Sequence, residues 1–105
     1  RSYDLGFSLE NLVYLELLRR GYKVMIGRIG NTEVDFVAEK QGAYTYYQVT
    51  ADMTAQETFE REMRPLAQIR DNYEKIILTA DRLTVGNYNG IRVKNLTDWL
   101  LDKEN

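Results

Sequence analysis

Residues 33–50 constrain the fold of this chain more than any other stretch. Glu33 to Lys40 alternates apolar Val34, Phe36 and Ala38 with polar neighbours, Gln41-Gly42 offers a tight turn, and Ala43 to Thr50 is rich in the Tyr and Thr that strands favour. Two such runs around a short turn predict an antiparallel hairpin. With Gln41-Gly42 as the turn, or with a four-residue loop from Lys40 to Ala43, Lys40 faces Ala43 and partner numbers sum to 83. Asp35 then falls opposite Gln48, and Glu33 opposite Thr50, on one face with Cβ atoms about 4.5–5.5 Å apart. Val34, Phe36 and Ala38 take the other face with Tyr47 and Val49.

The flanking segments fill in a small α/β domain. Leu9 to Arg20 places Leu9, Leu12, Val13 and Leu17 on one helical face, with Ser8 as N-cap and Gly21 as the left-handed stop. Tyr22 to Ile29 sets Tyr22, Val24 and Ile26 against Lys23, Met25 and Gly27, and so predicts a strand that enters the hairpin through a Gly30-Asn31 turn. Beyond the hairpin, Thr54-Ala55-Gln56-Glu57 has the form of a capping box opening a second helix. Its Phe59, Met63, Leu66 and Ile69 stripe runs past Pro65, which implies a kink there and not a stop. Ile76-Ile77-Leu78 reads as an interior strand reached by a parallel, right-handed crossover. Gly86 to Gly90 reads as a loop, Ile91 to Lys94 as a short edge strand, and Asn95 as the cap of a last helix carrying Leu96, Trp99 and Leu100. The expected class is mixed α/β: a central sheet flanked by helices in the order αβββαβ, then a short strand and a C-terminal helix. No repeat or linker divides the 105 residues, and a single domain over 1–105 is expected.

Composition narrows the chemistry. The chain has no His and no Cys, which removes thiol and imidazole nucleophiles, disulfides, and zinc or iron held by those side chains. Carboxylates, amides and hydroxyls remain, a set suited to a hard cation such as Mg2+. Fourteen Lys and Arg against 16 Asp and Glu leave a charge of -2, too little basic excess for a stand-alone nucleic-acid binder. No stretch approaches the ~20 apolar residues of a membrane span, and no charged-then-apolar leader is present. A cytoplasmic chain without a membrane partner is therefore expected. It starts at Arg1 without an initiator Met, which fits either a piece of a longer protein or only a trimmed terminus.

The order of these elements carries a resemblance. Glu10-Asn-Leu-Val-Tyr-Leu-Glu-Leu-Leu-Arg-Arg-Gly-Tyr22, Gly30-Asn-Thr-Glu-Val-Asp-Phe-Val-Ala-Glu39, Tyr47-Gln-Val-Thr50 and Arg70-Asp-Asn-Tyr73 resemble the PD-(D/E)XK, or restriction-endonuclease-like, superfamily. Within it they are similar to the C-terminal domain of unknown function in prokaryotic AAA-type ATPases. A broader likeness is to the early-Glu helix of archaeal Holliday-junction resolvases. In active members of the superfamily, the helix Glu, the strand Asp and the first residue of an E-x-K motif bind Mg2+, and the motif Lys polarises the attacking water. The resemblance places Glu10 at the helix acid, Asp35 at the metal Asp, Gln48 at the Glu and Thr50 at the Lys. The metal set it implies is thus Glu10, Asp35 and Gln48, and the catalytic set adds Thr50.

Two of those positions depart from the pattern. Gln48 offers an oxygen without charge, and Thr50 supplies no cation; losing one preorganised electrostatic contact costs on the order of 10² to 10³ in rate. The resemblance therefore implies an accessory domain with a degenerate site, contacting DNA or a protein under the rest of its parent ATPase chain. Two alternatives stand beside it: an Mg2+-dependent nuclease in which Arg61 or Arg64 replaces the missing charge, and a pure protein-interaction module. The sequence leaves the oligomeric state open.

Other polar residues have plainer expectations. Glu16 lies by helical spacing among Leu9, Leu12 and Val13, so it needs either a raised pKa or a partner, such as a Lys or Arg at the sheet edge. Tyr44, Tyr46 and Tyr47 could stack on bases, but Tyr also packs well on half-covered sheets. Arg19-Arg20 complements a helix C-terminus. The run Glu57, Glu60, Arg61, Glu62, Arg64 reads as a solvated helix face, with Arg61 kept as a site candidate.

Overall fold

A computed structural model describes residues 8–103 of the domain expected over 1–105. The elements are helix α1 (Leu9–Arg19), strands β1 (Lys23–Ile29), β2 (Thr32–Lys40) and β3 (Ala43–Thr50), helix α2 (Gln56–Ala67), strands β4 (Glu74–Thr79), β5 (Gly86–Tyr88) and β6 (Ile91–Asn95), and helix α3 (Leu96–Leu100). They build one mixed six-stranded sheet in the order β1-β2-β3-β4-β6-β5. The β1–β2, β2–β3 and β5–β6 pairs are antiparallel, whereas β3–β4 and β4–β6 are parallel. This is the expected α/β class. Among the described residues no helix is long and apolar enough to cross a membrane.

Local chemistry accounts for most boundaries. Ser8 Oγ accepts the Asn11 N–H at 3.1 Å, and Asn95 Oδ1 accepts the Asp98 N–H at 3.0 Å, so both expected caps form. Gln41 and Gly42 both have positive φ, +55° and +84°, as a two-residue hairpin turn requires. The β2–β3 register runs from Phe36↔Tyr47 to Lys40↔Ala43, with partner numbers that sum to 83. β4 lies inside the sheet, parallel to β3, and α2 continues past Pro65.

Helices cover both faces. α1 and α3 bury Val13, Leu17 and Trp99 against Phe36, Tyr47 and Leu78. α2 sets Leu66, Phe59 and Met63 against Tyr46, Ile77 and Val93 on the other face.

Three expectations are corrected here. First, Val34 does not share a face with Phe36 and Ala38: it belongs to the α2-side core. A β-bulge is the reason. Met25 pairs with Val37 and Gly27 with Val34, so Asp35 and Phe36 of β2 together oppose the single Ile26 of β1. The extra residue reverses the alternation, and Ile26, expected beside Tyr22 and Val24, is 87% exposed. Second, the capping box does not form. Ala55 caps α2 without a side-chain bond, because the Thr54 hydroxyl donates to Asp52 Oδ1 at 2.6 Å. Third, β6 is not the edge strand; β5 is. Asn89-Gly90, with φ of +55° and +92°, is a hairpin turn inside the expected loop, and it pairs Tyr88 with Ile91.

The bulge also makes Gly27 sterically obligatory. A Cβ there would stand 2.3 Å from Val34 Cγ2 and 2.9 Å from Val37 Cγ2. Neither branched side chain has a ready alternative rotamer. Gly27→Ala should therefore lower stability by about 1–3 kcal/mol in urea titrations. An unchanged midpoint would mean that the bulge relaxes freely.

Candidate functional site

Where the β2–β3 ladder stops at Phe36↔Tyr47, side chains take over its hydrogen bonds. The Asp35 N–H donates to Gln48 Oε1 at 2.9 Å, and the Val49 N–H donates to Asp35 Oδ2 at 2.8 Å. At the same point Asp35 and Phe36 together oppose Ile26 of β1, so the chain is irregular on its β1 side where side chains supply the bonds on its β3 side. Asp35 and Gln48 are thus brought together as the register predicts, through side chain and backbone.

Gln48 is 7% exposed and bridges to α2. Its Nε2 faces Glu62 Oε1 at 3.3 Å and the Glu62 carbonyl at 3.4 Å. The amide orientation is forced, because the opposite flip would set NH2 against the Asp35 N–H. Around this bridge opens a cleft of about 560 Å³ lined by Glu10, Asp35, Gln48, Arg61 and Glu62. Glu10 lies in the first turn of α1, and Arg61 and Glu62 on α2. Burial pushes the Glu62 carboxyl up to about 7; Asp35 and Glu10 push the same way, and Arg61 opposes them.

The other expected site residues lie differently. Thr50 is not among the lining residues, and its hydroxyl reaches the Asp52 carbonyl at 3.4 Å. Glu33 reaches the mouth of the cleft, but its carboxylate is paired with Arg28 at 2.7 Å. Arg64 does not line the cleft and is exposed. Glu62, expected on a solvated face, is the site residue that the sequence reading missed. Its spacing betrays it: three residues after Phe59 and four before Leu66, it flanks the buried stripe.

The residues present do not fit an Mg2+ centre. Such an ion demands near-octahedral oxygen ligands at about 2.0–2.1 Å and sheds water reluctantly. In the set Glu10, Asp35, Gln48, the Gln48 oxygen carries no charge and already accepts the Asp35 N–H. Among the described residues no three His, Cys, Asp or Glu side chains are grouped to hold a metal.

Elsewhere the polar side chains build structure. Arg19 and Arg20 both hydrogen-bond Glu16 and hold its carboxyl at about 2, against a smaller upward pull from burial. Arg20 also stacks 4.3 Å over Trp99 and donates to the Trp99 carbonyl, which locks α1 to α3. Tyr44 and Tyr46 pack edge-on against Tyr73, while Tyr47 packs against Trp99 on the opposite face.

No family model matches this chain. It is similar to an uncharacterized protein of Haemophilus influenzae, 41% identical over 93 residues that make up 89% of the chain. The chain spans about a fifth, 22%, of that relative's length.

Proposed function

We propose that this chain is a nuclease-fold accessory module of a larger AAA-type ATPase, acting in the cytoplasm, with a degenerate site, that contacts DNA or a protein partner without efficient cleavage of nucleic acid. The αβββαβ order supports the fold family, with Glu10, Asp35 and Gln48 meeting in one cleft. A relative several times longer supports the module. One observation carries the inactive reading above all: Gln48, where an active site would present a carboxylate, is engaged on both sides by Asp35 and Glu62, and no Lys lines the cleft.

The test is cleavage. Purified protein incubated with single- and double-stranded DNA or with RNA, in Mg2+ or Mn2+, should cut no faster than Asp35→Ala protein. Cleavage that disappears with Asp35→Ala would overturn the reading in favour of the nuclease alternative.

A further inference from the structure

The cleft poses a problem that the accessory-module reading, on which this inference rests, leaves unsolved. The Asp35 N–H lies just beyond the last β2–β3 ladder pair and donates to Gln48, and α2 brings Glu62 down onto the same side chain. A part-buried donor and a half-buried carboxylate are each stabilised by a partner. Where a cleft of this kind holds a cation, the cation satisfies its carboxylates. In this cleft the Gln48 amide meets the Glu62 carboxylate.

We propose that Gln48 is a positioning residue that closes the cleft without a cation, its oxygen holding the β2 backbone at Asp35 and its nitrogen holding α2 at Glu62. The chemistry singles out a carboxamide. The Asp35 N–H needs an acceptor, and Glu62 needs a donor about 3.3 Å away. An ionised Glu at position 48 accepts twice and donates nothing, Lys donates only, and Thr is too short to reach both walls. Gln does both from one rigid plane. The side chain is 7% exposed, so water does not readily take its place. Gln48 thereby fixes Asp35, Glu62 and the α2 helix relative to one another by hydrogen bonding.

The arrangement is reciprocal, and that supplies the experiment. Gln48→Glu sets a carboxylate oxygen beside Glu62 and at pH 8 should lower the melting temperature by on the order of 10 °C. The swap Gln48→Glu with Glu62→Gln restores one donor and one acceptor in the same places. It should recover most of that loss, together with slow hydrogen exchange at the Asp35 amide. The wild type should melt at the same temperature in millimolar Mg2+ as in EDTA.

A swap as unstable as Gln48→Glu alone would overturn the proposal, as would an Asp35-dependent stabilisation of the wild type by Mg2+. If Gln48→Glu does not fold, the swap and Gln48→Ala carry the comparison, Gln48→Ala being expected to lose protection at the Asp35 amide. Asp35-dependent cleavage by the wild type would instead overturn the accessory-module reading, so the two failures are distinguishable.

Discussion

Asp81→Ala should cost at least about 3 kcal/mol of stability, a fall of roughly 15 °C in melting temperature for a domain of this size. The Asp81 carboxylate ties three segments together. Oδ2 accepts the Met53 N–H at 3.0 Å and the Thr79 hydroxyl at 2.7 Å, and Oδ1 accepts the Thr84 N–H and hydroxyl at 2.9 and 2.8 Å. Met53 and Thr79 are fully buried. Burial pulls the Asp81 carboxyl upward, but the bonds from Met53, Thr79 and Thr84 outweigh it and hold the group at about 2. Removing it orphans donors that water does not reach, which is the expensive way to lose a hydrogen bond. Asn95 adds to the same joint, its Nδ2 donating to the Asp81 carbonyl at 3.1 Å. Urea unfolding measures the loss, and one below about 1 kcal/mol would mean that the joint rearranges around the vacancy.

Stability should also depend on pH in two opposite limbs, with a maximum near pH 5. Glu62 sets the upper limb. Its carboxyl sits near 4.5 unfolded and about 7 folded, so the folded state holds the extra proton between those values. Stability then falls as pH rises from about 4.5 to 7, by on the order of 1–2 kcal/mol once solvent screening of this half-buried group is allowed for, and levels off above. Glu16 and Asp81 set the lower limb with the reverse sign. Both are held at about 2 in the fold against 4.5 and 3.8, so their contribution is present above those ordinary values and is lost as pH falls towards 2. With no His in the chain, Glu62 is the described side chain with a shift that places its titration between pH 5 and 8. Denaturant midpoints from pH 3 to 9 trace both limbs. Glu62→Gln should flatten the upper one and leave the lower intact, whereas a flat wild-type profile from pH 5 to 8 would place Glu62 in water.

The sequence was most legible where one local interaction decides the outcome. Ser8 and Asn95 cap helices because a short polar side chain beside an apolar run has one inexpensive use. Gln41-Gly42 fixes the β2–β3 register by its turn geometry, and that register alone brings Asp35 to Gln48. Glu16 was readable as an acid beside an apolar stripe in need of a raised pKa or a basic partner. Glu62 stands beside its own stripe in the same way, but a run of alternating charges masks it. The bulge left no trace in an unbroken alternation over residues 33–38; it shows only in Gly27, the one residue that fits beneath Val34 and Val37. β5 was hidden because Gly86 to Gly90 looks like loop composition, although Asn89-Gly90 is itself a strong hairpin turn.

The switch of β3 from an antiparallel neighbour on one side to a parallel neighbour on the other sets an order of assembly. β1, β2 and β3 follow one another through tight turns and can zip together with little loop-closure entropy. β4 must wait for the whole of α2 and its connections to close behind it, and β6 waits for β4. A ribosome releases the segments in that same sequence. The first half of the sheet thus joins Asp35 to Gln48 through contacts close in sequence. Its polar joint is completed from outside the meander, by Glu62 of α2.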